Sequence, residues 1–231
     1  MKHPQHILAF DKKAFGIDGL EGLIKLPAKA FFEAAGNSLF IGRREELEKD
    51  ERFGQALPYI VLYRKASALQ TSPRVFVYQR TKKVGEERLA GNLSIGTGGH
   101  MDLADVVMGS NSIIDILATF ARGIARELNE EIAFKHAESL NSLSFDQVRS
   151  AHPECFPKFV GMINDTSNAV GRVHYGCVFA LEVPEKYVPL CKEEELTTIG
   201  MALPSEVLAR GEGALENWSQ LLLSDFGFIT E

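Results

Sequence analysis

The sequence predicts an α/β (α+β) class with layered packing. Short β-branched and aromatic runs recur along the chain, segments with helical apolar spacing lie between them, and Gly, Pro, Ser and Asn clusters separate the two. The 231 residues are enough for one large domain with a substantial core. Apolar residues make up 45% of the chain and charged residues 24%, which excludes a disordered polymer. The net charge of −6 argues against a broad basic face, so nucleic acid is not the expected partner. No apolar run reaches the roughly 18 residues of a membrane helix, and the first ten residues lack a signal-peptide apolar segment. Cys155, Cys177 and Cys191 have no CxxC spacing, so neither a disulfide framework nor a cysteine zinc site is expected. A reduced, cytoplasmic compartment follows.

The elements follow in order. Ile7–Phe10 reads as a strand. A helix follows with Pro27 just inside its start and Gly36 after its end, the usual asymmetry of proline and glycine at helix ends. Arg43–Arg52 has helical propensity and is densely charged. Tyr59–Tyr63 and Val75–Tyr78 are strands with Ser67–Pro73 as the loop between them, and Asn92–Ile95 is a third. It runs into Gly96-Thr97-Gly98-Gly99, where regular strand stops. Ser112, with Asp115 three residues on, has the shape of a helix cap. Ile113, Leu117, Phe120, Ala121, Ile124, Leu128 and Ile132 then recur at helical spacing. Phe159–Ile163 and Val173–Val183 are strands. In the second, Val173, Tyr175, Cys177, Phe179 and Leu181 alternate onto one face, with Arg172, His174 and Gly176 opposite. Leu196–Ala202 is a strand, Pro204–Arg210 and Ala214–Asp225 are helices, and 138–157 is a long loop.

The chemistry concentrates at Arg126-Glu127-Leu128-Asn129-Glu130-Glu131. At about 100° per residue, Glu131 falls at the edge of the apolar stripe with Glu127 beside it. Glu127 neighbours Glu130 and Glu131 at i+3 and i+4, so like charges repel on one turn. A cation of hard oxygen preference, Mg²⁺ or Mn²⁺, relieves such repulsion. Upstream, Gly98-Gly99-His100-Met101-Asp102 supplies glycines that allow close backbone approach to a ligand.

In this order the two segments resemble the Nudix box: Gly, five residues, Glu, seven residues, then Arg-Glu-aliphatic-x-Glu-Glu-x-Gly-aliphatic. Gly99 matches the first glycine, and Arg126, Glu127, Leu128, Glu130 and Glu131 match the core. The family's first Glu falls at Asp105, the gap to Arg126 is about a dozen residues longer, and Ala133 stands where the last Gly is expected. Leu57-Pro58-Tyr59, 94–100 and 170–176 are similar to a bacterial group of MutT-like phosphoesterases. The resemblance implies a Nudix-type α/β/α sandwich with a mixed central sheet, a single domain over 1–231 with 1–50 as an N-terminal extension. It implies metal-dependent hydrolysis of a phosphoanhydride in a nucleoside diphosphate derivative. A catalytically impaired nucleotide-sensing module is the alternative reading.

Carried over by residue, Glu127, Glu130 and Glu131, with the Gly98 or Gly99 carbonyl, would hold the metal. Glu127 would also act as base toward water, and Arg126 would hold a carboxylate. Arg80, Arg88 and His174 are candidate substrate contacts, with Lys82, Lys83 and His100 nearby in the same reading. Asp102, Asp105 and Glu193 to Glu195 are supplementary acidic candidates. The expected partner is a small nucleotide-type molecule, with a homodimer compatible with the family.

Overall fold

The computed structural model describes residues 5–67, 71–81, 91–110, 112–139, 141–211 and 213–230. Arg88, Lys82 and Lys83 lie outside the described residues. The chain is mixed α+β, as expected. In chain order the elements are β1 (His6–Asp11), α1 (Lys12–Phe15), β2 (Gly22–Ile24), α2 (Ala28–Ser38), β3 (Leu39–Arg43), α3 (Arg44–Leu47) and β4 (Phe53–Arg64). Then come β5 (Arg74–Arg80), β6 (Leu93–Ser94), β7 (Gly96–Thr97), α4 (Ile116–Glu131), β8 (Ile132–His136), β9 (Ser142–Leu143), α5 (Phe145–Ala151) and β10 (Lys158–Asn164). The last are β11 (His174–Glu182), β12 (Tyr187–Cys191), β13 (Leu196–Ala202), α6 (Pro204–Leu208), α7 (Asn217–Leu223) and α8 (Gly227–Thr230). No helix among the described residues is long and apolar enough to cross a membrane.

The chain divides into two compact units, one of Met1–Tyr59, Gly98–Ile124 and Phe159–Val178, the other of Ile60–Thr97, Ala125–Lys158 and Phe179–Glu231. In the first unit β1 is the central strand of an antiparallel set. It pairs with β3 in the register Leu8↔Ile41 and with β4 in the register Phe10↔Gly54, and β2 pairs antiparallel with β10. Aromatic rings fill this core. Phe31 stacks on Phe159 with centroids 4.1 Å apart and meets Phe10 and Phe120 edge-on. Phe31 is fully buried, which stabilises by about 2–3 kcal/mol relative to exposure. The α2 spacing of Phe31, Ala35 and Ser38 turns one helix face inward.

In the second unit β5 pairs antiparallel with β4, β6 and β13. The β13 register shifts between Thr198 and Gly200, where the glycine at φ 113° takes up a bulge. Strands β12, β8 and β9 form a separate antiparallel sheet, with Phe134 and Phe145 packed between β8 and α5.

Several boundaries differ from the sequence reading, each for a local reason. Gly36 lies inside α2, which runs on to Ser38, because nothing crowds that glycine and the following strand is what stops the helix. Residues 43–52 form the end of β3 and one short helical turn. Helix α4 starts at Ile116 rather than after Ser112, which sits at φ 57°. Asp115 is the capping side chain, accepting from the Ala118 N–H at 2.9 Å. Ile113 and Leu117 are therefore 65% and 58% exposed, outside the core stripe of Phe120, Ile124 and Leu128. Ile132, placed on the helix from its spacing, opens β8. In β11 both faces are covered from His174 to Leu181, so its expected alternation does not divide core from solvent. The loop expected over 138–157 contains α5, opened by a reciprocal Ser144–Gln147 capping box.

Candidate active site

The acidic turn closes α4. Leu128 is fully buried and Ile124 nearly so, which draws the neighbouring Glu127 under cover to 5% exposure. The end of the helix is held by other chain segments. The Lys192 N–H donates to the Glu131 carbonyl at 2.8 Å, and its ammonium donates to the Asn129 carbonyl. The Asn129 side chain and Asp146 at the start of α5 exchange hydrogen bonds of 2.8 and 3.3 Å. Carbonyls that a helix end leaves open are thereby satisfied, and the turn is fixed in place.

Arg126 serves two carboxylates from one nitrogen. Its Nη1 donates to Glu127 Oε1 at 2.7 Å and to Glu130 Oε2 at 3.3 Å. Glu131 is engaged separately, accepting from the Thr97 hydroxyl. The carboxyl of Glu127 is pushed up to about 7. Burial is the main cause, Arg126 opposes it, and Glu131 and Glu130 add to it by repulsion. Two of the three carboxylates thus turn to Arg126 and the third to Thr97. They are not drawn into a single knot of donor atoms. Among the described residues the three ligating groups that do lie within 4.8 Å of one another are His152, Glu154 and Cys155.

Arg80, at the end of β5, forms an ion pair of 2.6 Å with the buried Glu216. Burial disfavours its charge, but Tyr78, Glu216 and Glu131 outweigh that and hold the guanidinium above its ordinary range. The Arg80 charge thus interacts with the acidic turn. Burial pushes the Cys191 thiol up; Thr198 and Arg80 oppose this, while Glu131 and Glu193 add to it. Of the late acidic candidates, Glu193 is the one whose charge meets that of Glu131 around this thiol.

In the first unit, Gly98 has φ 143°, a conformation that favours glycine. His100 and His174 meet here. Their Nε2 atoms are 3.1 Å apart, and His100 Nε2 is 2.7 Å from Gln55 Oε1. His174 Nδ1 lies 2.6 Å from the Val170 carbonyl, so that nitrogen carries the proton. Its neutral Nε2 then accepts from His100 Nε2–H, which is shared with the Gln55 oxygen. His174 is 9% exposed. Asp105 is 1% exposed and accepts from the Asp102 N–H at 3.0 Å, while Asp102 accepts from the Ala104 N–H at 2.6 Å. These two carboxylates cap the single turn Leu103–Asp105.

Sequence reading did not find Thr97, Glu216, Gln55 or Lys192. Each is recognisable only by its partner, and the Arg80–Glu216 pair spans 136 positions. The residue types of the acidic turn are those a hard divalent cation takes, although their oxygens do not converge on one point in the metal-free chain. The turn has three carboxylates, one of them desolvated and repelled by the other two, and one guanidinium shared between two of them.

The arrangement of strands and helices is that of the Nudix fold. Tm1382, a protein classed provisionally as a Nudix hydrolase, superposes with a TM-score of 0.67 at 24% identity, over 96% of this chain and 97% of that one. A Nudix hydrolase from Alicyclobacillus acidocaldarius gives a TM-score of 0.48 at 15% identity, over 77% of this chain and 92% of that one. No family model matches the sequence. Protein YmaB of Bacillus subtilis (strain 168) is 30% identical over 182 residues, covering 78% of this chain and 75% of the relative. The chain belongs to one family with YmaB, a family of Nudix fold.

Proposed function

We propose that the chain hydrolyses a phosphoanhydride bond in a nucleoside diphosphate derivative with the help of Mg²⁺ or Mn²⁺. The observation that carries this reading is Glu127: a carboxylate 5% exposed, paired with Arg126 at 2.7 Å, on one turn with Glu130 and Glu131. Burying an ionised carboxylate costs stability. A placement of that cost on one turn with two more carboxylates is expected of a site that serves chemistry rather than packing.

Glu127, Glu130 and Glu131 are the proposed ligands. When bound, such a cation neutralises phosphate charge and lowers the pKa of its water. The protein's own part is positional. Arg126 fixes the Glu127 and Glu130 carboxylates by charge-assisted hydrogen bonds, and Thr97 fixes Glu131. Arg80, restrained by Glu216 and partly exposed, would meet phosphate oxygens. His174, with its proton held on Nδ1 toward the Val170 carbonyl and its Nε2 accepting from His100, is a proposed substrate contact.

The test is a hydrolysis screen of nucleoside triphosphates, nucleotide sugars, dinucleoside polyphosphates and coenzyme conjugates, with and without Mg²⁺. The reading expects cation-dependent product release that Glu127→Gln abolishes. Tight nucleotide binding without any turnover would instead identify a sensing module.

A further inference from the structure

The tetrapeptide His152-Pro153-Glu154-Cys155 follows α5 and takes no part in the proposed hydrolysis. The His152 N–H closes the helix onto the Val148 carbonyl at 2.8 Å, and the Cys155 N–H returns to the His152 carbonyl at 2.9 Å. That tight turn, stiffened by proline between the first two ligating residues, brings three side chains to one side. Their donor atoms all lie within 4.8 Å of one another. His152 Nδ1 is 2.9 Å from Glu154 Oε1.

A second observation is independent of this grouping. His152 Nε2 is buried and makes no hydrogen bond among the described residues. The imidazole packs edge-on against the Tyr187 ring, with centroids 5.7 Å apart, which fixes its plane. Glu154 already engages Nδ1, so Nε2 is the ring nitrogen left to be satisfied.

We propose that His152, Glu154 and Cys155 bind a divalent cation of the zinc class. The donor set selects it. One thiolate, one imidazole and one carboxylate suit Zn²⁺, and Co²⁺ as its probe, whereas Mg²⁺ prefers oxygen alone. Three protein ligands leave a fourth position to solvent. Binding requires the thiol to lose its proton, so uptake releases a proton and weakens as pH falls. A bound ion would clamp the turn between α5 and β10. It is a separate site from the acidic end of α4, formed by other residues and selecting a softer metal.

The test is Co²⁺ titration of the full chain after treatment with a chelator. A thiolate-to-cobalt charge-transfer band in the near ultraviolet is expected, lost in Cys155→Ser and retained in Cys177→Ser and Cys191→Ser. His152→Ala should weaken Zn²⁺ binding by at least about tenfold, a loss that even outer-shell partners of a metal can cause. A competing excess of Mg²⁺ should leave the band in place. A second readout uses the unmodified chain, so that a misfolded variant cannot obscure the outcome: Zn²⁺ should slow alkylation of Cys155, mapped by mass spectrometry. Absence of the band, its survival in Cys155→Ser, or an alkylation rate indifferent to Zn²⁺ would overturn the proposal.

Discussion

Replacing Glu127 by Gln should change how stability depends on pH in the metal-free protein. The Glu127 carboxyl is pushed from 4.5 up to about 7, chiefly by burial. A carboxyl whose folded value is raised favours the fold while protonated. That contribution is complete below about 4.5 and is lost as pH rises through about 7. At about 1.4 kcal/mol per tenfold change in proton affinity, the loss amounts to about 3 kcal/mol. Gln keeps the shape and the hydrogen-bonding oxygen but cannot ionise. The variant should match the wild type near pH 4 and exceed it by about 3 kcal/mol at pH 8. Urea unfolding with chelator present, at pH 4 to 8, measures both profiles. Parallel profiles would refute the reasoning, because they would mean that Glu127 ionises in the folded state as freely as in water.

Other consequences are equally direct. A Cβ at Gly54 would lie 1.7 Å from the Tyr175 ring, so Gly54→Ala should cost about 3 kcal/mol or more by urea unfolding. Arg80→Ala leaves the Glu216 carboxylate, 7% exposed, without its cation. Because Arg80 itself is partly solvated, the loss should be about 1–2 kcal/mol, and Arg80→Ala with Glu216→Gln should recover part of it, as a thermal melt would show. Gly98→Ala forces a side chain onto φ 143° and should destabilise by about 1–3 kcal/mol by the same melt.

The sequence was most informative where period and local chemistry coincide. Strand β13 runs over the predicted Leu196–Ala202, and the buried stripe Phe120, Ile124, Leu128 was readable from spacing alone. Helix α5 was also legible in principle, since Ser144 and Gln147 form a capping box, but its brevity hid it in a polar stretch. Asp115, rather than Ser112, caps α4 because Ser112 takes a left-handed backbone that no spacing rule reveals. The acidic turn was visible as a cluster of carboxylates on one helical turn. Its division between Arg126 and Thr97 was not, because Thr97 lies 34 positions from Glu131. Nor could alternation show that His174 sits on a strand covered on both faces.

Calorimetric titration with Mn²⁺ tests the central claim most directly. The chain with Cys155→Ser, which removes the sulfur of the proposed zinc-class site, should take up Mn²⁺ measurably. Combining that change with Glu127→Gln, Glu130→Gln and Glu131→Gln should abolish the uptake. Equal heats from the two proteins would contradict the assignment of the α4 acidic turn as the metal centre.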